Sequence, residues 1–483
     1  MSDKLLQLEQ LARRLEPSPE QRNSWNAQTQ AYADDFINHI EILKAYDEPP
    51  PNGRLSLPVE EQGKPLEQLL AELRTRVDRA GINPASGGHL GYVPGGGVFP
   101  AALGDYLAAV TNRYAGLFFA NPGAVRIENA LIRWMCELMG YPDGALGNLS
   151  SGGSIANLIA ITTARDFKGI KATRVEKAVV YLTGQVHHCV QKALRIAGLG
   201  EAAIRYIPVD EHFRMDTKHL HIQLEKDIFQ GLEPFLVVGS AGTTDTGAVD
   251  PLDEIASLAE QFGLWFHVDA AYGGFFLLVD ELKGKFRGIE RSDSVAIDPH
   301  KGLFLPYGLG AVLIKNVRAQ YDAHFYKANY MQDAQQDWEE ASPADLSPEL
   351  TKHFRGLRMW LPLQLFGLGP FRAALEEKVL LCRYFYQKVQ ECGFEVGPEP
   401  DLSIMIFRFR TTAEDSARFN ERLLEYVRRD GRVFLSSTTI DGEYWIRLAV
   451  LSFRTHKREI DLCLDILMEG VAQVEKELAS AGG

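Results

Sequence analysis

No stretch of this chain reaches eighteen uninterrupted apolar residues, so a membrane-spanning helix is not expected. Nor is there an excess of positive charge. Lysine and arginine number 51 against 64 aspartates and glutamates, a formal net charge of −13. That balance argues against a nucleic-acid backbone or an anionic membrane surface as partner, while leaving room for a local site that takes a small anion. Cysteine is scarce. The five present (Cys136, Cys189, Cys382, Cys392 and Cys463) are scattered, form no CxxC and stand at no zinc spacing from a histidine. Reduced thiols in the cytoplasm and no metal site are the expectation. The N-terminus brings acidic residues by position 9 and lacks the apolar core of a signal peptide. Internal repeats and low-complexity tracts are absent as well.

What is present is an ordinary globular composition, 46% apolar over 483 residues, too long for one compact core. Residues 3–45 read as helical with a break at "EPSPE", followed by a Pro-rich connector and a helix in "PLEQLLAELRTRVDRAG" with Gly81 as its stop. "GGHLGYVPGGGVFP" is a loop whose glycines allow close backbone approach. From about 140 to 320, short apolar runs alternate with helical patterns: 178–182, 235–239, 264–268, 294–297 and 311–314. Between two of them "PLDEIASLAEQFG" sets Leu252, Ile255, Leu258 and Phe262 on one helical face and stops at Gly263. Apolar strands without polar alternation, separated by helices, predict an α/β fold with a mostly parallel sheet covered on both faces. Residues 321–350 are polar and acidic and read as a loop. Strands in "LSIMIFRF", "RVFLS" and "YWIRLAV" then pack on the last helix. The expected division is an N-terminal helical segment (1–84), a large α/β domain (85–360) and a small α+β domain (361–483).

In open α/β sheets ligands sit where strands end, and four such ends here are chemically loaded. "SSGGS" before a helical run presents free N–H groups and hydroxyls to an anion. Asp269 closes an apolar run, a costly place for a carboxylate unless it is paired with a cap, an arginine or a cationic ring nitrogen. "GTTDTG" follows another run, and Lys301 comes four residues after "SVAI". A partly desolvated lysine is a nucleophile for carbonyls. An anion cradle, a carboxylate for a ring nitrogen and an amine for an aldehyde together select pyridoxal 5′-phosphate.

"SSGGSIANL", "VHHCVQKA", "GTTDTGAVDPL", "HVDAAYGG", "DPHK" and "FRGLRMW" follow one another along the chain. From about residue 85 onward the sequence resembles the pyridoxal-phosphate-dependent amino-acid decarboxylases of the group that contains the aromatic-amino-acid, histidine and glutamate enzymes. The resemblance implies a fold type I, aspartate-aminotransferase-like large domain. It implies that Lys301 binds the cofactor covalently, that Asp269 pairs with the ring nitrogen, and that Ala271 and His187 lie on opposite ring faces. Gly153, Ser154 and His300 would hold the phosphate, with Thr244 near the ring. Tyr330 would close over the site on a loop and protonate the substrate carbon. Arg447 would grip the substrate carboxylate, and Tyr92 and Phe118 would line the substrate pocket. The segment "YAGLFFANPGAVRIENALI" would reach the pocket of a second subunit, making a homodimer with its active site at the subunit interface. Arg355 and Arg358 read as structural, and His188 is left without a role.

The implied reaction is decarboxylation of an L-amino acid, an aromatic one, to its amine. The alternatives are an acidic or diamino acid as substrate, an aldehyde-forming oxidative outcome, or a non-enzymatic scaffold. Two features depart from the animal aromatic enzymes: Asp298 stands where several have asparagine, and Gly95, Gly96 and Gly97 stand where bulkier residues are usual. The glycines would open space or offer N–H groups to a substrate carboxylate.

Overall fold

Seven strands form the central sheet in the computed structural model, which describes residues 2–49, 59–326, 340–411 and 416–481. They are β1 (Leu146–Ser150), β2 (Ala178–Thr183), β3 (Ala203–Ile207), β4 (Glu233–Ser240), β5 (Trp265–Asp269), β6 (Ser294–Ile297) and β7 (Gly310–Ile314). Their order across the sheet is β1-β7-β6-β5-β4-β2-β3. Neighbours from β6 to β3 are parallel, and β7 runs against both strands beside it. The fold is thus α/β with a mostly parallel sheet, as the pattern of apolar runs predicts. Side chains alternate between two cores. Val179, Tyr181, Val237 and Val268 enter one, and Val180, Leu182, Leu236 and Val238 the other. Burial on both faces removes the need for polar alternation.

Two strands escape the apolar-run criterion. β1, "LGNLS", is buried throughout but carries glycine, asparagine and serine. β3 is an edge strand, and most of it is only half-buried. The helix Leu252–Phe262 ends at Gly263, whose φ of 68° suits a glycine stop. The helix Leu66–Arg76, by contrast, ends well before Gly81, which instead pairs with Asp47. The polar stretch that reads as loop from 321 begins inside a helix, Val317–His324.

A second, antiparallel sheet follows: β8 (Glu395–Val396), β9 (Ile404–Arg408), β10 (Ser436–Ile440) and β11 (Glu443–Ala449), ordered β8-β9-β11-β10. The strand expected at "RVFLS" is displaced to Ser436–Ile440. Asp441 and Gly442, with φ of 51° and 81°, make the two-residue turn that fixes Ile440 opposite Glu443. Phe434 pairs instead with the glycine loop, its carbonyl accepting from Leu90 N at 2.9 Å.

The same loop corrects the expectation for two of the three glycines singled out there, Gly95 and Gly96, whereas a Cβ on Gly97 would meet nothing within 4 Å. A Cβ on Gly96 would lie 2.4 Å from Phe304 Cα, and the Gly96 N–H already donates to Leu305 O at 2.9 Å. Gly95 packs on Tyr307 in the same way. These two serve close packing between chain segments, and Gly96 has no N–H left for a substrate. At the N-terminus the helices Ser2–Ala12 and Pro19–His39 flank the proline break, Ser18 capping the second by accepting from Gln21 N at 3.2 Å. The second helix buries none of its residues. No described helix is long and apolar enough to cross a membrane.

Candidate active site

After β2 the chain turns outward to β3, then returns to build β4, β5 and β6 in the other direction. Such a reversal opens a crevice at the carboxyl ends of the strands. A cavity of about 390 Å³ lies there, a size typical of small-molecule sites. Its lining comes from the loops after β1, β2, β4, β5 and β6.

The loop after β1 supplies the anion cradle. The helix Gly153–Phe167 starts at the cavity; Ile155 N already donates to Gly152 O at 3.1 Å, and the Gly153 and Ser154 N–H groups are the ones without a helical partner. Gly152 before it has a φ of 152°, and a Cβ on Gly153 would come within 3.0 Å of Asp298 Oδ2. Larger residues there would both strain the backbone and fill the cradle. The Ser151 and Ser154 side chains and His300 complete the wall. His300 Nδ1 donates to Leu309 O at 2.6 Å, which fixes the ring. Burial holds this imidazole below its ordinary pKa, against the pull of Asp298.

Lys301 Nζ stands 3.1 Å from Asp298 Oδ2. Burial alone would push the ammonium down, but Asp298 and Asp269 outweigh it and hold Lys301 above the usual lysine value. Asp298 Oδ1 is buried and has no hydrogen-bond partner among the described residues. A buried acceptor left open beside an anion cradle marks a place where a ligand atom or proton belongs.

Across the cavity, Asp269 is 8% exposed. Its Oδ1 accepts from Ala271 N at 3.1 Å and its Oδ2 from Asn157 Nδ2 at 3.4 Å. His187 lines the opening, and its Nδ1 accepts from Cys189 N at 3.3 Å. Burial keeps this imidazole below its ordinary pKa, although Asp269 pulls it upward. His188 is exposed, its ring 4.1 Å from that of His187.

Of the residues singled out by sequence, Lys301, Asp269, His187, Gly153, Ser154, Thr244, Ala271 and His300 all line this one cavity. Arg447 does not line it but adjoins it: its Nε donates to Thr244 O at 2.8 Å. Arg447 sits mid-sheet between β9 and β10, is 3% exposed, and leaves Nη2 unpartnered among the described residues. Tyr92 lies outside the lining, 49% exposed, with its ring 5.5 Å from that of Phe434. Phe118 is also outside, under the Arg126 guanidinium at 5.2 Å. Tyr330 lies outside the described residues. Arg355 and Arg358 are structural, as expected, pairing with Glu349 at 2.9 Å and Asp105 at 2.8 Å.

Sequence reading missed Asn157, Cys189, Gln185, Ser240 and Tyr272 in the lining. Asn157 carried a signal: it follows Gly153 by four residues on a helix and so shares its face. A cradle for phosphate, a fixed carboxylate and a lysine converge here, and they fit pyridoxal 5′-phosphate.

Residues 52–410 match the pyridoxal-dependent decarboxylase conserved domain. The chain belongs to that family. This decarboxylase is 32% identical over 455 residues to an aromatic-L-amino-acid decarboxylase of Bacillus atrophaeus, covering 92% of this chain and 93% of the relative. A phenylacetaldehyde synthase of Petunia hybrida is 28% identical, with 84% and 85% covered. Among solved structures, the tryptophan decarboxylase of Catharanthus roseus in complex with L-tryptophan superposes with a TM-score of 0.88 at 23% identity, covering 95% of this chain and 99% of that one. At that identity the likeness speaks for the fold. The decarboxylase is therefore a lyase of fold type I that acts on an amino acid with pyridoxal phosphate as cofactor.

Proposed function

We propose that this enzyme converts an aromatic L-amino acid to its amine and CO₂. The observation that carries the reading is the convergence of Lys301, Asp269 and the Gly153–Ser154 helix start on one cavity. The named activity of the Bacillus atrophaeus relative supports the aromatic choice. When bound, pyridoxal phosphate supplies an electron sink for the pair left behind as the carboxylate departs.

Lys301 is the nucleophile toward the cofactor's aldehyde, and its ammonium must give up a proton before it can act. Gly153, Ser154 and His300 hold the phosphate. Asp269, oriented by the Ala271 N–H and Asn157, would accept a hydrogen bond from the protonated ring nitrogen and so keep that proton on the ring. Ala271 and His187 would hold the ring between them, with Thr244 near its edge. Arg447 offers its open Nη2 to the substrate carboxylate. Tyr330 donates the proton to the substrate Cα. Tyr92 and Phe118 lie outside this subunit's cavity and would contact a substrate side chain across the dimer, where the segment bearing Phe118 reaches the partner subunit's pocket.

The working unit is a homodimer in the cytoplasm, each subunit divided at about residues 84 and 360. Support for association comes from apolar side chains that this subunit leaves exposed, among them Leu5, Leu8, Leu11 and Phe119.

The test is a screen of the twenty common amino acids and diaminobutyrate for CO₂, amine and hydrogen peroxide. CO₂ and amine in equal amounts from tryptophan, tyrosine or phenylalanine is the expected result. Release of CO₂ from acidic or diamino acids alone would overturn the substrate class, and peroxide matching CO₂ would overturn the amine product.

A further inference from the structure

Trp265, His267 and Asp269 alternate along β5, so their side chains share one face of the strand. Trp265 Nε1 donates to Ser294 Oγ at 2.8 Å, and Ser294 stands opposite His267 in the parallel register. His267 Nδ1 meets that same Ser294 Oγ at 2.8 Å, and its Nε2 meets Asn157 Oδ1 at 2.8 Å. Asn157 Nδ2 then donates to Gly153 O at 2.9 Å and to Asp269 Oδ2 at 3.4 Å. Trp265 is 1% exposed, and His267, Ser294 and Asn157 are wholly buried.

The direction of every bond follows from the ends. The Trp265 indole can only donate. Asn157 Oδ1 can only accept, so His267 Nε2 carries the proton. A neutral ring then accepts at Nδ1, so the Ser294 hydroxyl donates to it. Burial supports the neutral ring, pushing His267 down to about 4 although Asp269, the ionisable neighbour acting on it, pulls the other way. Reversing the Asn157 amide would set its oxygen against both the Gly153 carbonyl and the Asp269 carboxylate. Those two acceptors remove that option.

We propose that Trp265, Ser294, His267 and Asn157 form a one-way donor relay that holds the Asp269 carboxylate aimed at the cofactor's ring nitrogen, with His267 and Asn157 as positioning residues. The inference rests on the reading of Asp269 above. It extends the site by a full layer behind the cavity wall. It also gives a reason for a buried histidine and tryptophan to sit two and four residues before the acid.

The test has two parts. In the wild-type apoprotein, ring-¹⁵N NMR, with His267 assigned by loss of its signals in H267Q, should show protonated Nε2 and bare Nδ1 from pH 8 to pH 5. A bare Nε2, or an imidazolium forming near pH 6.5, would overturn the relay. Second, equilibrium dialysis should show the Kd for pyridoxal phosphate rising tenfold or more in H267F and N157L, and staying within threefold in H267Q, whose amide can still donate to Asn157. Competition by inorganic phosphate, which has no ring nitrogen, should be unchanged in all three. Wild-type pyridoxal-phosphate affinity in both H267F and N157L would overturn the proposal. D269A separates the two levels. If it too keeps wild-type affinity, the reading of Asp269 fails. If D269A alone loses affinity, only the relay does. Should a variant not fold, the wild-type tautomer still decides.

Discussion

The floor of the cavity and the N-terminal helices are opposite kinds of structure. Asp269 and Asn157 on the floor, and His267 behind it, are buried and make their polar contacts within one subunit. In the N-terminal helices, Pro19–His39 buries nothing, and Leu5, Leu8 and Leu11 are 66%, 54% and 58% exposed. One region is complete in a single chain. The other carries apolar surface that the described residues do not cover, and such surface costs solubility when left open to water. The cofactor-facing polar contacts thus belong to one chain, while the exposed apolar side chains of the N-terminal helices are a surface for the proposed association.

The contrast can be broken most sharply at Lys301. K301A should lower kcat by at least about a thousandfold while leaving the circular dichroism spectrum intact, because a lysine whose bonds serve chemistry can be lost without loss of fold. D269N comes next. Steady-state assays should show kcat down about 10²- to 10³-fold, the usual loss when one preorganised electrostatic partner is removed.

The pH dependence of stability probes the same floor. Burial pushes His267 and His89 down to about 4 in the folded chain. Their folded pKa lies below the unfolded value near 6.5. The stability they contribute is full above that value and is lost as pH falls toward 4. Thermal unfolding of the apoprotein should show H267Q losing less stability than wild type between pH 6.5 and 4.5, by roughly 2–3 kcal/mol. An equal loss in the two proteins would mean that His267 is not a buried neutral imidazole.

A smaller effect is expected at Asp298. D298N keeps an acceptor for Lys301 and removes one negative charge from beside the cradle. Equilibrium dialysis should show phosphate-bearing ligands binding more tightly, by about 1 kcal/mol. The smallest effect on folding belongs to the other region. The L5D/L8D/L11D triple variant should shift sedimentation from dimer to monomer, yet change the unfolding free energy of the monomer by no more than about 0.5 kcal/mol per site.

The sheet was legible where burial on both faces wrote an uninterrupted apolar run, as at 178–182 and 294–297. It was illegible at β1, where glycine, asparagine and serine sit in a wholly buried strand. A Cβ at Gly147 would lie 1.8 Å from Val312 O, so close pairing rather than apolar content decides that strand. "RVFLS" misled because its apolar residues pack against the glycine loop and the neighbouring core, while the hairpin is set by Asp441-Gly442. In the site, Lys301 and Asp269 were readable because each stands at or just past the end of an apolar run, and the glycine cradle because small residues precede a helical run. His267 was not, and the helical spacing that puts Asn157 on the face of Gly153 did not reveal its bond to His267, because that bond exists only once the strand face and the helix face meet. The close packing of Gly95 and Gly96 was likewise hidden, because it depends on Phe304 and Tyr307, some two hundred residues away in the chain.

The most direct test is chemical. Borohydride reduction of the purified enzyme, followed by peptide mass spectrometry, should find the pyridoxyl group on Lys301 in nearly every subunit. A pyridoxyl group on another side chain, or on none, would contradict the account.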